Sequence, residues 1–231
     1  QGFTTRYTHV NYALGFVITE EMVDDDLYDV IGKARSEALA FSMRSTKEIV
    51  AANVYNRAFN SSYLGGDGLE MCSTAHVNVA GGTWSNELAT AANLSEASLE
   101  QMVIDLMGFT NDRGLKIQVK PRSLIIPKDL IFEADRILKT DKRVSTADND
   151  INALKLMGVF PEGVKVNQYL TSTTAYFIRT NAPNGLKYFE RKADSFGADN
   201  DFDTSNAKFK AAGRYSFGWT DPRGIYGTAG V

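Results

Sequence analysis

The chain has 231 residues, 43% hydrophobic and 23% charged, enough apolar material for one large or two small globular domains and too much for a disordered chain. Its 25 Lys and Arg against 28 Asp and Glu leave a net charge of -3, which argues against a protein that grips nucleic acid through its phosphates, though not against a wall that encloses it. One cysteine, Cys72, excludes an intrachain disulfide and a cysteine-based metal framework, and no apolar run approaches the roughly 20 residues that span a bilayer.

No secretory signal pattern opens the chain. Gln1 in place of an initiator methionine predicts an upstream segment, removed by processing or missing from the sequence. From Gly2 to Thr19 the residues alternate, with Tyr12, Leu14, Phe16 and Ile18 on one side, which predicts an extended strand. Thr19 is an expected helix N-cap, and Glu20 and Glu21 suit the positive end of the helix dipole. Leu27, Val30, Ile31, Ala34, Ala38 and Phe41 then recur at helical spacing and predict a buried stripe. Ser45 and Glu48 have capping-box spacing, so a break is expected near Ser45 before Ile49, Val50, Val54, Ala58 and Phe59 resume the helix.

Glycines punctuate a long irregular segment from Asn60 to Asn93. Ser95 is expected to cap a helix with Leu94 and Leu99 as a hydrophobic staple and Leu99, Met102, Val103, Leu106 and Met107 as its buried face. Strands are expected at 115–119, 124–126, 164–166 and 175–179, with a helix over 128–139 using Leu130, Ile131, Ala134, Ile137 and Leu138. The chain then returns to β-structure, with strands at 186–191 and 211–219 around a polar loop over 198–206. Tyr215, Phe217 and Trp219 alternate as a sheet face packed on a core, an arrangement favoured over base stacking. No internal repeat is visible.

The residues offer little for catalysis. Cys72 and His76, four apart, are the only candidates for a nucleophile and base, in a segment that does not predict a helix. Consecutive Asp24, Asp25 and Asp26 point about 100° apart on a helix and cannot all face one cation, so they read as a solvated surface. Gly65-Gly66-Asp67-Gly68 lacks the Lys-Ser/Thr of a phosphate loop and reads as a turn. Asp148, Asn149, Asp150 and Asn152 lack the glycine and terminal glutamate of a calcium loop and read as a turn or local cap. No cofactor, metal site or enzymatic activity is therefore expected.

The order of elements is more informative: strand, long helix, loop, α/β unit, closing strands. Leu14 to Met22 and Ser42 to Phe59, with Gly66-Asp67-Gly68, Cys72 to His76, Leu124-Ile125-Ile126-Pro127, Asp148 to Asn152, Tyr169-Leu170-Thr171 and Gly218 to Gly224, resemble in order and spacing the major capsid proteins of tailed bacteriophages. The resemblance implies an α+β fold of the Hong Kong 97-like type. Residues 1–19 would be the returning strand of an extended loop, and 20–93 with 181–231 a peripheral domain built on a long spine helix. Residues 94–180 would be an inserted axial domain. The N-terminal arm and outgoing strand of that loop are absent from this sequence. The implied function is a subunit that assembles with copies of itself, in pentamers and hexamers, into the icosahedral head shell around double-stranded DNA. Portal, scaffold and cement proteins are the implied further partners, no membrane is involved, and the shell forms in the host cytoplasm and persists in the virion. Arg44 with Glu48, and Asp221 with Arg223, are candidate inter-subunit ion pairs, each also readable as a local contact. Two alternatives carry different chemistry: an encapsulin-like compartment enclosing enzymes, and a hydrolase using Cys72 and His76.

Overall fold

The structure, a computed structural model of the chain, describes residues 2–25, 28–143 and 150–231, with the backbone alone for 28–30. The chain divides into two compact units, each discontinuous in sequence. One comprises Gln1–Arg6, Ala52–Lys187 and Gly218–Val231, the other Tyr7–Ala51 and Tyr188–Phe217.

The smaller unit combines a sheet with a long helix. Strand β1 (Val10–Ile18) pairs antiparallel with β8 (Ala207–Trp219), which also pairs with β7 (Leu186–Asn200). The alternation read from the sequence holds: Ile18 is buried and Tyr12 and Phe16 are half-buried, although Leu14 on the same side is exposed. Phe16 stacks on its cross-strand partner Phe209 at 4.9 Å and Tyr12 on Tyr215 at 4.8 Å, the pairs that pin a register. Strand β7 runs on to Asn200 where the sequence predicts an end at Arg191. Nearly every one of its residues is exposed, so its many charged side chains, poor material for a sheet interior, are tolerated on an edge.

Thr19 occupies the N-cap of a short helix, α1 (Glu20–Asp24), without a side-chain cap bond; Asn206 Oδ1 instead accepts from the Glu20 N–H at 3.3 Å. Asp24 and Asp25 are exposed, as expected, and Asp26 lies outside the described residues. Helix α2 (Tyr28–Asn56) then runs without interruption through Ser45. The expected break is absent, and the neighbouring Thr46 hydroxyl folds back onto the helix, donating to the Ser42 carbonyl at 2.8 Å.

The buried face of α2 also differs from expectation. Leu39 and Met43 are buried with Ala211 and Phe16 packed on them, whereas Ala34, Ala38 and Phe41 are exposed, Phe41 at 72%. Leu27 and the side chain of Val30 lie outside the described residues. Two apolar stripes compete on this helix, and the better fit to the sheet decides between them. On its inward side Lys47 Nζ lies 2.7 Å from Asp194 and 5.1 Å from the centre of the Tyr215 ring. Lys47→Met is expected to cost about 1 kcal/mol, the scale of a partly exposed ion pair with a cation–π contact, read as a lowered urea midpoint.

In the larger unit a four-stranded sheet, ordered β5-β4-β6-β9, separates two apolar layers. Its strands are β4 (Pro121–Pro127), β5 (Val164–Asn167), β6 (Tyr176–Thr180) and β9 (Ile225–Thr228). Alternate residues explain the unbroken run Leu124-Ile125-Ile126. Leu124, Ile126, Tyr176, Ile178 and Tyr226 face helices α3 (Glu96–Met107) and α4 (Ile131–Lys139). Ile125, Phe177 and Ile225 face Ala58, Met71 and Cys72 on the other side. Ser95 caps α3 by accepting from the Ser98 N–H, and Leu99, Met102, Val103 and Leu106 are buried, but Met107 is 56% exposed. On α4 Ala134 and Ile137 are buried while Ile131 is 37% exposed. No strand forms over 115–119, only an isolated bridge from Thr110 to Lys116. Asn152 caps the short helix α5 (Ala153–Leu156) through Lys155 N–H, fulfilling the local-cap reading, while Asp148 and Asn149 lie outside the described residues.

Candidate functional site

The segment from 60 to 93 stays mostly irregular, with one small hairpin, β2 (His76–Val77) and β3 (Thr83–Trp84). Its turn places Gly81 and Gly82 at φ 95° and 87°, left-handed backbone that a side chain resists. The hairpin delivers His76 and Trp84 into a buried polar clasp.

Asn86 is the hub. Its amide nitrogen donates toward the carbonyls of Met71, Pro222 and Ile225 at 2.8, 3.0 and 3.1 Å. Its oxygen accepts from Ser73 N–H at 2.9 Å and faces His76 Nε2 at 3.0 Å. Three carbonyls around the nitrogen fix the amide orientation, so His76 Nε2 is a donor. The other ring nitrogen, Nδ1, lies 2.6 Å from Asp67 Oδ2, so both ring nitrogens meet acceptors. His76 also stacks on Trp84 at 4.8 Å, and the guanidinium of Arg223 sits 4.5 Å from the centre of that ring. Arg223, with 8% of its side chain exposed, reaches Thr110 O at 2.7 Å, Asn78 Oδ1 at 2.9 Å, Asp112 at 3.0 Å and Asp221 at 3.3 Å.

Burial pushes the Asp67 carboxyl up, but the hydrogen bond and charge of His76 and the Leu69 N–H outweigh it and hold it below its ordinary 3.8. A lowered folded value means that the stability this pair supplies is complete above 3.8 and is lost as pH falls through the lower folded value. The gap in urea midpoint between the wild type and Asp67→Asn is therefore expected to hold steady from pH 6 to about 4 and to shrink below it.

The clasp leaves no room for a Cys72–His76 dyad. Both His76 nitrogens are engaged elsewhere, and Cys72 is 1% exposed beneath the sheet. Burial, then the charges of Glu87 and Glu70, push its thiol well up, the opposite of an activated nucleophile. The Gly65 to Gly68 run is a turn, as read, but it presents Asp67 to the clasp.

Asp221 and Arg223 meet within the chain, and Asp221 also caps the turn by accepting from Arg223 N–H at 2.9 Å. Arg44 and Glu48 are exposed on α2, and no described residue pairs with either. Asn86, Asn78 and Trp84 were not singled out from the sequence. The available signal was compositional: an irregular buried segment must satisfy its backbone with side-chain amides, and Asn60 and Asn86 both do such work.

Everything in this site holds segments together. The family model described as phage capsid protein matches residues 2–228. The chain belongs to the phage capsid protein family. This capsid subunit shares its fold with solved shells at low identity. The capsid of Myoviridae phage XM1 aligns at TM-score 0.56 and 12% identity, over 97% of this chain and 74% of the other. Mycobacterium phage Patience aligns at 0.56 and 13%, over 96% and 69%. An encapsulin complex from Synechococcus elongatus aligns at 0.52 and 11%, over 97% and 74%. No curated protein sequence matches. The fold is Hong Kong 97-like and mixed α and β, as the resemblance implied, and the subunit is a structural component of the phage head shell.

Proposed function

We propose that the subunit acts without catalysis, closing with copies of itself in pentamers and hexamers into an icosahedral shell around packaged double-stranded DNA. One observation carries this reading: the lone subunit leaves large apolar side chains uncovered. Val10, Leu14 and Val17 on β1 are 41–49% exposed, Leu156 and Met157 beside α5 at least 70%, and Phe202 in the β7–β8 turn 98%. Such surface on a soluble chain marks contacts still to be made. In this reading residues 1–19 are the returning strand of the extended loop, 20–93 and 181–231 the peripheral domain, and 94–180 the axial domain. Arg44 and Glu48 contact neighbouring copies. Asp221 and Arg223 serve those contacts by holding the turn that keeps Asp112 and Asp221 at the surface. The net charge of -3 suits a wall that lines DNA without gripping it. Assembly takes place in the host cytoplasm, with portal, scaffold or cement proteins as further partners.

Negative-stain microscopy of the purified full chain tests the reading. Closed shells are the expected result, and a soluble monomer that never forms rings or shells overturns it. Shells that take up enzymes through a peptide groove, and exclude DNA, would place the subunit among encapsulin-like compartments instead.

A further inference from the structure

The outward face of α2, around the Phe41 that the sequence predicts to be buried, carries charges whose signs invert when the helix is read from its other end. Lys33, Glu37, Phe41, Arg44 and Glu48 are all exposed. At about 100° per residue they fall on one stripe roughly 80° wide and about 22 Å long. Leu39 and Met43 occupy the opposite side of the helix, packed on Phe16 and Ala211, so the stripe points away from its own unit. Phe41, the central residue, is 72% exposed. None of the four charges enters an ion pair with a described residue. Within the helix, Lys33 with Glu37 and Arg44 with Glu48 have the spacing of a pair, but with the cation nearer the N-terminus, which is the weaker order.

A second copy supplies what the helix itself does not. Laid antiparallel across a two-fold axis beside Phe41, it brings Lys33 opposite Glu48 and Glu37 opposite Arg44, each twice by symmetry, and sets one Phe41 ring against the other. A parallel partner would place like charges face to face. We infer that this ridge is an isologous two-fold contact between two copies of the chain; the inference rests on the head-shell reading and names the surface on which two of its copies meet. A single pair of helix ridges covers less than the roughly 1,200 Å² of a stable complex. The contact therefore closes within the shell, where many weak contacts add, and not as a free dimer.

The test uses assembled shells of the full chain. Phe41→Cys places a thiol at the two-fold axis, and Cys72, 1% exposed, does not compete. Oxidation of intact F41C shells is expected to give a covalent dimer on a denaturing gel, while K33C shells, whose thiols lie about 22 Å apart across the same axis, stay monomeric. Arg44→Glu sets like charges together twice and is expected to cut shell yield at least tenfold; the exchange Glu37→Arg with Arg44→Glu restores it. F41C shells that stay unlinked overturn the inference, whether the ridge is bare or covered by another protein. So do R44E shells at wild-type yield, or a charge exchange no better than R44E alone. Wild-type chain that forms no shell overturns the head-shell reading itself, and the inference with it.

Discussion

Asn86→Asp is expected to destabilise the larger unit by about 3–5 kcal/mol, the scale of a buried polar network turned against itself. The substitution preserves shape and replaces one NH2 by an oxygen. That oxygen would face the carbonyls of Met71, Pro222 and Ile225, three acceptors at 2.8 to 3.1 Å that lose their donor and gain a repulsive neighbour. Water cannot compensate, because Asn86 is 0% exposed. Urea unfolding of the purified subunit measures the loss, and a change below about 1 kcal/mol would show that the hub is not what joins residues 71–76 to 222–225.

Arg223→Met is the second large effect. Methionine matches the length of the arginine stem but carries none of its donors, so Thr110 O and Asn78 Oδ1 lose their partners and Asp112 and Asp221 lose the cation they share. Breaking a fully buried ion pair costs about 3–5 kcal/mol. Asp112 keeps 55% of its side chain exposed and water takes up part of the loss, so about 2–3 kcal/mol is expected here. Arg223→Lys separates charge from geometry: an ammonium keeps its attraction to Trp84 but cannot reach four acceptors in different directions. A variant as stable as wild type would mean that charge alone suffices; an intermediate value is expected.

Much of the fold was legible because local patterns carried it. Tyr12, Phe16 and Ile18 alternate and so face one way; Ser95 precedes a helix and caps it; Leu124 to Ile126 form an unbroken apolar run and lie between two layers. Where two local solutions had similar merit, the sequence could not choose. On α2, Leu39 and Met43 compete with Ala38 and Phe41, and the winner is set by Phe16 and Ala211, far away in the chain. The clasp was illegible for the same reason. Asp67, His76 and Asn86 acquire meaning only when residues 222–225 arrive beside them, and no spacing rule connects positions so distant. Where shell contacts lie is a further step removed, since it depends on surfaces of other copies.

The discontinuity of both units bears on the timing of synthesis. The smaller one joins Tyr7–Ala51 to Tyr188–Phe217, and the larger has β9 (Ile225–Thr228) as an edge strand of its sheet. Neither can complete its core while the ribosome is still making the middle of the chain, because the closing strands do not yet exist. Pairing so distant in sequence folds slowly, and it folds last. A nascent chain therefore holds the N-terminal halves of its interaction surfaces without the finished body that would present them. Premature association on a polysome, the hazard of any protein made in many copies beside one another, is restrained by the order in which the chain emerges.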